Sequence, residues 1–306
     1  LEKRGHQVRL VSPDEFRSIP CPTYPEIRLA LFPGRGVARA IEDFDPQAVH
    51  IATEGPLGVA ARAHCLKKGY PFTTAYHTRF PEYIHARVPL PLGWLYAVMK
   101  WFHGPSSAIM VATQTIEDDL VARGFKPPVR RWSRGVWTDL FKPRDKAFLP
   151  DPRPISLFTG RVAVEKNIEA FLKLDLPGTK YVVGDGPQLD DLKRKYPDVR
   201  FAGMREGEDL AKYFAAADVF VFPSRTDTFG LVLLEAMASG VPVAAYPVPG
   251  PLDVVNQSGA GVLDDDLGKA VEEALTIPAE TCRAHALKYS WDASFDQFEG
   301  NLHVFR

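Results

Sequence analysis

The sequence predicts an α/β protein made of two Rossmann-like parallel-sheet domains. Three observations carry that expectation. Short apolar runs alternate with helical periodicities along both halves of the chain, the pattern of repeated βα units. The stretch 142–154 holds four prolines, at 143, 150, 152 and 154, and reads as a linker between two such halves. The length of 306 residues suits two domains of this kind. The expected division is 1–143 for a first domain, 144–289 for a second domain, and 290–306 for a C-terminal helix that packs back on the first.

In chain order, Leu1-Glu2-Lys3-Arg4-Gly5-His6 reads as the last turn of a helix stopped by Gly5, so a preceding βα unit is expected to be missing from this sequence. Residues 8–11 are expected as a strand, 18–25 as a Pro-rich loop, and 36–44 as a helix closed by Asp45-Pro46. Strand 48–52 runs into a loop with Glu54, helix 57–68 ends at Gly69, and strand 72–76 ends on His77. A histidine at a strand's carboxyl end is either structural or a hydrogen-bonding group for a ligand at that edge. Glu54 is similarly placed and reads as a ligand contact or a helix-capping carboxylate. Arg79, Tyr83 and His85 follow as candidates for the same side.

The most aromatic stretch is 89–104, in which Trp94, Leu95, Val98, Trp101 and Phe102 fit one helical face. That face is either core or an interfacial surface meeting a membrane. Strand 108–112, a helix opened by Thr113 as N-cap and strand 129–132 complete the first half.

The second half restarts with strand 155–159, and Gly160-Arg161-Val162-Ala163-Val164-Glu165-Lys166-Asn167 leads from it into a helix. Two cations there work against the positive potential of a helix start unless an anion is bound. Arginine grips oxygens in pairs and lysine acts as a point charge, so a diphosphate fits. Strand 180–183 ends in the turn Gly184-Asp185-Gly186-Pro187, and strand 199–202 runs out at Gly203-Met204-Arg205. After helix 210–217, the apolar run Val219, Phe220, Val221 and Phe222 reads as a buried parallel strand. A polar loop then passes through Thr228, Phe229 and Gly230 into a helix with Leu231, Leu234, Met237 and Ala238 on one face and Gly240 as its stop. Free N–H groups at this helix start suit an anion. Asp227 and Glu235 instead suit hydroxyls, from which carboxylates accept hydrogen bonds. Amides for phosphate and acids for hydroxyls together indicate a nucleotide-sugar site. The plain alternative is an ordinary strand–loop–helix. Strand 241–245, a Pro-rich loop at 247–251, strand 260–263, a helix through Leu275 and an aromatic helix from Ser290 finish the chain.

Seven residues separate Asp227 from Glu235, with Phe229-Gly230 between them and Ala-Met-Ala-Ser-Gly after the second acid. This resembles the signature of family 4 retaining glycosyltransferases. The usual first acid is Glu; the Asp form is similar to a branch that includes sulfoquinovosyltransferase-like and α-mannosyltransferase-like members. Arg161 and Lys166 resemble the family's diphosphate clamp, the Gly184-Asp185-Gly186-Pro187 turn its nucleotide-side loop, and Arg134-Gly135-Val136 its domain-junction segment, with Trp137 where Asp is usual.

The resemblance implies the GT-B fold, two Rossmann-like domains facing a cleft, and a retaining hexosyl transfer without metal or other cofactor. It assigns catalytic or donor-holding roles to His77, Arg161, Lys166, Asp227 and Glu235. It places Gly160, Gly184, Gly186, Met204, Arg205, Thr228, Phe229, Gly230 and Leu231 around the donor, and Glu54, Arg79 and Tyr83 toward the acceptor. The implied donor is GDP-mannose first and a UDP-sugar second, and the implied acceptor a lipid or a glycan. The alternatives are a nucleotide-sugar epimerase on the same scaffold and a non-catalytic nucleotide-sugar-binding subunit.

Composition is that of an ordinary globular protein: 45% apolar, 25% charged, net charge −1, and therefore no reason to expect nucleic acid as a partner. Three scattered cysteines, Cys21, Cys65 and Cys282, indicate a reducing, cytoplasmic compartment, with peripheral contact at the inner membrane face as the membrane alternative.

Overall fold

The structure is a computed structural model that describes residues 1–306 apart from Pro22, Thr23, Ala86, Arg87, Pro89, Thr228, Gln257 and Arg306, and apart from the side chains of Tyr24, Pro25 and Glu26. The chain divides into two compact units, Leu1–Ser133 with Phe295–Arg306, and Arg134–Ser294.

The first unit opens with a short 3-10 turn, Glu2–Arg4, ended by Gly5 in the left-handed conformation. The strand expected at 8–11 does not form. Val8 and Leu10 are exposed, and no ladder partner lies beside them among the described residues; without a partner for its N–H and C=O groups an extended segment is not a strand. Where a Pro-rich loop was expected, β1 (Ser18–Cys21) instead pairs antiparallel with β2 (Tyr24–Ala30), Ser18 opposite Ala30 and Ile19 opposite Leu29. Pro20 is tolerated because a two-stranded ribbon leaves one edge free.

Next come α1 (Gly34–Phe44), β3 (His50–Ile51), α2 (Pro56–Lys68), β4 (Thr73–Tyr76), α3 (Phe80–His85), α4 (Leu92–His103), β5 (Ala108–Val111), α5 (Gln114–Ala122) and β6 (Val129–Arg131). Strands β3-β4-β5-β6 form a parallel sheet in that order. β4 and β5 are buried along their whole length, as expected for strands covered on both faces. Thr113 caps α5 by accepting from the Ile116 N–H. On α4 the faces divide differently from expectation. Tyr96, Met99, Phe102 and His103 are buried, whereas Trp94, Val98 and Trp101 are exposed. Phe102 belongs to the inner stripe because it lies three residues from Met99, and 98 and 101 continue the turn-by-turn row from 94.

The second unit contains β7 (Ile155–Thr159), α6 (Ile168–Leu172), β8 (Thr179–Val183), α7 (Leu189–Lys195), β9 (Arg200–Gly203), α8 (Gly207–Ala216), β10 (Val219–Phe222), α9 (Leu231–Ala238), β11 (Val243–Ala245), α10 (Pro251–Val254), β12 (Gly261–Leu263), α11 (Leu267–Ala274) and α12 (Ala279–Ala286), and α13 (Trp291–Asn301) closes the chain. The six strands are ordered β12-β11-β10-β7-β8-β9 with all neighbours parallel. This is the doubly wound order, in which the chain reverses direction across the sheet between β7 and β10. Phe158, Val182, Val219, Val221 and Ala244 meet Phe171, Leu192 and Val271 in its core. From α13, Phe298 packs on Trp132 with ring centroids 4.6 Å apart, within the first unit.

Two loops in this sheet approach backbone to backbone. A Cβ added at Gly184 would lie 1.9 Å from the Gly160 carbonyl oxygen, and Gly184 has φ +143°. A Cβ at Gly186 would lie 2.5 Å from the Val162 oxygen. Hydrogen bonds from Val162 N–H to Asp185 O (2.8 Å) and from Gln188 N–H to Val162 O (3.0 Å) close the contact. Gly184→Ala therefore combines a clash with an unfavourable backbone conformation. It should cost on the order of 1–3 kcal/mol, read as a lowered urea midpoint; an unchanged midpoint would show that the two loops separate without penalty.

Candidate functional site

The chain leaves β7 and β10 toward opposite edges of the sheet, and the crevice outside their carboxyl ends is where doubly wound sheets bind ligands. The loop after β7 carries Gly160, Arg161 and Lys166. The loop after β10 carries Asp227 and leads to Phe229 and Gly230. Side chains stitch the two together: Asn167 Nδ2 donates to Pro223 O (3.1 Å), and Thr226 Oγ1 donates to Glu165 O (3.3 Å).

Lys166 lies just before the start of α6, close to the helix start where it was expected. It ends a 3-10 turn, Val164–Lys166, and Asn167 with φ +51° separates that turn from α6. The extra turn carries the lysine toward the β10 loop, where Lys166 Nζ meets Asp227 Oδ1 at 2.5 Å, both side chains mostly buried. Asp227 Oδ2 is buried and meets no hydrogen-bond donor among the described residues. An acceptor in that condition is costly unless a ligand satisfies it. Arg161 Nε lies 3.9 Å from Glu165 Oε1, whose side chain is almost fully enclosed. The unit thus brings Arg161, Lys166 and Asp227 to one edge.

Gly230, left-handed with φ +79°, is the N-cap of α9; Phe229 is buried beneath it and Leu231 is exposed. Thr228 lies outside the described residues. Glu235 follows one turn into α9, half-buried, and burial pushes its carboxyl up from 4.5 to about 7. The loop 247–250 supports this corner, because Gly250, at φ +91°, comes so close that an added Cβ would be 3.2 Å from the Asp227 carbonyl oxygen. Gly160, Gly184 and Gly186 make the backbone contact described above. Met204 is exposed after β9, and Arg205 turns back to donate to the Met204 carbonyl (2.9 Å).

In the first unit, His77 follows β4, half-buried, its ring edge-on to Trp132 at 5.1 Å. Glu54 faces inward. Its side chain is 7% exposed and lies 3.2 Å from His103 Nε2, while His103 Nδ1 is 2.9 Å from Thr74 Oγ1. Arg79 is enclosed as well, donating to Glu82 Oε1 (2.9 Å), which also accepts from Tyr96 OH (2.6 Å). Tyr83 is half-buried on α3, and His85 Nδ1 bonds the Leu90 carbonyl (2.7 Å). His103 and Trp132 were not singled out from sequence; each meets its partner only through folding, His103 from 49 residues away. Arg225, whose guanidinium covers the Tyr246 ring at 3.7 Å, was missed for the same reason. No group of three or more His, Cys, Asp or Glu that could hold a metal ion occurs among the described residues.

Residues 1–140 match Glycosyltransferase Family 4, and residues 153–277 match Glycosyl transferases group 1. A GDP-mannose-dependent alpha-mannosyltransferase of Mycolicibacterium smegmatis is 32% identical over 295 residues, covering 87% of this chain and 77% of the relative. This chain belongs to glycosyltransferase family 4. The family 4 chain is also 29% identical over 340 residues to the sulfoquinovosyl transferase SQD2 of Arabidopsis thaliana, covering 96% of the chain and 66% of the plant protein, just under two thirds of its length. Among solved structures, a sucrose-phosphate synthase from Thermosynechococcus elongatus superposes with a TM-score of 0.70 at 23% identity, over 89% of this chain and 79% of that one. At that identity the likeness is one of fold, and the fold is GT-B. The family 4 chain is accordingly a nucleotide-sugar-dependent transferase by class.

The raised pKa of Glu235 has a definite sign. Burial favours its protonated form, so folding binds a proton more tightly than the unfolded chain does, and stability falls as pH rises from about 4.5 to about 7. Glu235→Gln should therefore raise the melting temperature at pH 8, by an amount corresponding to at most roughly 3 kcal/mol, and leave it nearly unchanged at pH 4. An equal effect at both pH values would show that Glu235 is not desolvated.

Proposed function

We propose that this protein transfers a hexose, with retention of anomeric configuration, from a nucleotide sugar to a lipid or glycan acceptor. Mannose from GDP-mannose is the first donor, in line with the name of the Mycolicibacterium smegmatis relative, and a UDP-sugar is the second. The observation that carries the reading is the Lys166–Asp227 pair at the switch point, with Asp227 Oδ2 left without a donor. A diphosphate beside Lys166 and a hexose hydroxyl beside Asp227 answer both groups at once.

In this reading Arg161 and Lys166 hold the diphosphate. As the bond to the anomeric carbon breaks, negative charge builds on the departing phosphate, and fixed cations stabilise it without reorganising. The amides at the start of α9 add to that field. Asp227 accepts from hexose hydroxyls and Glu235 from ribose hydroxyls. His77 is a hydrogen-bonding partner for a sugar hydroxyl. Glu54 and Arg79 are engaged by His103 and Glu82, and Tyr83 is the third acceptor candidate. A reducing cytoplasmic setting fits the buried, unpaired thiols of Cys65 and Cys282.

A thermal-shift panel of GDP-, UDP- and ADP-sugars identifies the base. The right donor at about 100 times its dissociation constant adds about 2.7 kcal/mol of stability. Lys166→Ala and Glu235→Ala should each lower acceptor-dependent release of nucleoside diphosphate by roughly 10²–10³-fold while circular dichroism stays native. Wild-type rates in both variants would remove these residues from the site. Because only ionised Glu235 accepts without also donating, donor affinity should weaken below pH 7, by at most about tenfold per pH unit. An affinity flat from pH 8 to 6 would contradict the ribose assignment.

A further inference from the structure

Trp94, Val98 and Trp101 occupy positions i, i+4 and i+7 of α4, one stripe two turns long, and they are 72%, 53% and 53% exposed. Water is a poor environment for two tryptophans and a valine in a row, and the helix does not need them outward for packing, because Tyr96, Met99 and Phe102 already fill the inner face. The stripe continues onto α2. The Arg62 guanidinium covers the Trp101 ring at 4.1 Å and donates to the Trp101 and Phe102 carbonyls at 2.8 and 3.0 Å. On the same side of α2 as Arg62, Val59 lies three residues before and Leu66 four residues after, both exposed. Two helices thus present one joined apolar patch.

The charge around the patch is one-sided. Helix α2 carries Arg62, Lys67 and Lys68, and helix α4 carries Lys100; Lys68 is held by Glu42 of α1 at 2.8 Å. Glu82 is held inward by Arg79 and Tyr96. Helices α2 and α4 themselves carry no acid, and Lys67 and Lys100 are exposed. An apolar and aromatic face on two helices that carry cations and no acid matches an anionic bilayer surface: tryptophan prefers the headgroup level, and the cations meet lipid phosphates. A protein partner would not call for acids to be absent from both helices. No helix among the described residues is long and apolar enough to cross a membrane.

We propose that Trp94, Val98 and Trp101 of α4, with Val59 and Leu66 of α2, form a surface that seats on an anionic lipid bilayer. It stands independently of the transfer chemistry proposed above, since none of these residues belongs to the donor site.

The test is sedimentation of the full chain with vesicles, without any donor. Phosphatidylcholine vesicles containing 30% phosphatidylglycerol should bind the protein at least tenfold better than pure phosphatidylcholine, and raising salt from 50 to 500 mM should release most of it. Trp94→Ser with Val98→Ser, which leaves the Arg62–Trp101 contact intact, should lower partitioning at least tenfold with an unchanged melting temperature and unchanged donor-induced thermal shift. Lys67→Glu with Lys100→Glu should do the same through charge alone. Equal binding to neutral vesicles, no binding by the wild type, wild-type binding by either variant, or self-association in gel filtration that the serine variant abolishes would each overturn the proposal. Loss of the donor shift in the wild type, with vesicle binding retained, would instead count against the donor reading alone.

Discussion

The edge of the second unit that carries Arg161, Lys166 and Asp227 depends on how closely backbones approach outside the carboxyl ends of β7 and β8. Gly184 and Gly186 let the β8 loop lie directly on the β7 loop, oxygen against Cα. The β7 loop in turn is tied to the β10 loop through Asn167 and Thr226. The β10 loop is backed by Gly250. Three successive contacts of this kind leave little freedom at the edge, so the Lys166–Asp227 geometry is set by scaffold rather than by two long side chains finding each other. That is the condition under which a charged pair is precise enough to recognise a substrate.

What was legible in the sequence follows the range of the physics involved. The run Val219–Phe222, the glycine stop at Gly240 and the N-cap at Thr113 are local signals, and the structure places the corresponding strand and helices where those signals stand. The strand expected at 8–11 failed because pairing is not local: residues with strand propensity still need a neighbouring ladder. The β1–β2 ribbon was hidden by prolines, which mark a loop by composition but are permitted at a free edge. The 3-10 turn that carries Lys166 was hidden because helix starts are read to within a few residues only. Its pairing with Asp227, 61 residues away, has no sequence signature. Arg161 and Glu235 were singled out by residue type, the one just after a strand's carboxyl end and the other in the helix that follows β10. The inward turn of Glu54 onto His103 was not, because a carboxylate in a loop looks the same whether it faces water or a buried imidazole.

The first unit shows a different division of labour along one helix. On α4, inner and outer rows are both apolar, so periodicity alone did not separate core from surface. Burial did, by placing Tyr96 and Met99 in one cluster and Phe102 in another. Helices that are apolar all round are usually interior. This one is not: its outer row of Trp94, Val98 and Trp101 meets solvent.

The ion pair between Lys166 and Asp227 also bears on how the site empties. On the proposed roles, an intact nucleotide sugar takes the lysine with its phosphates and gives the aspartate hydroxyl donors in exchange, so neither charge is left alone. A nucleoside diphosphate, once the hexose has gone, still competes for the lysine but offers the aspartate nothing. Rejoining the two side chains then favours release of the spent nucleotide, and the resting protein, with its cation already neutralised, is a weak trap for stray phosphate. On those roles the aspartate is an internal counter-ion, and the site discriminates between a loaded donor and its remnant.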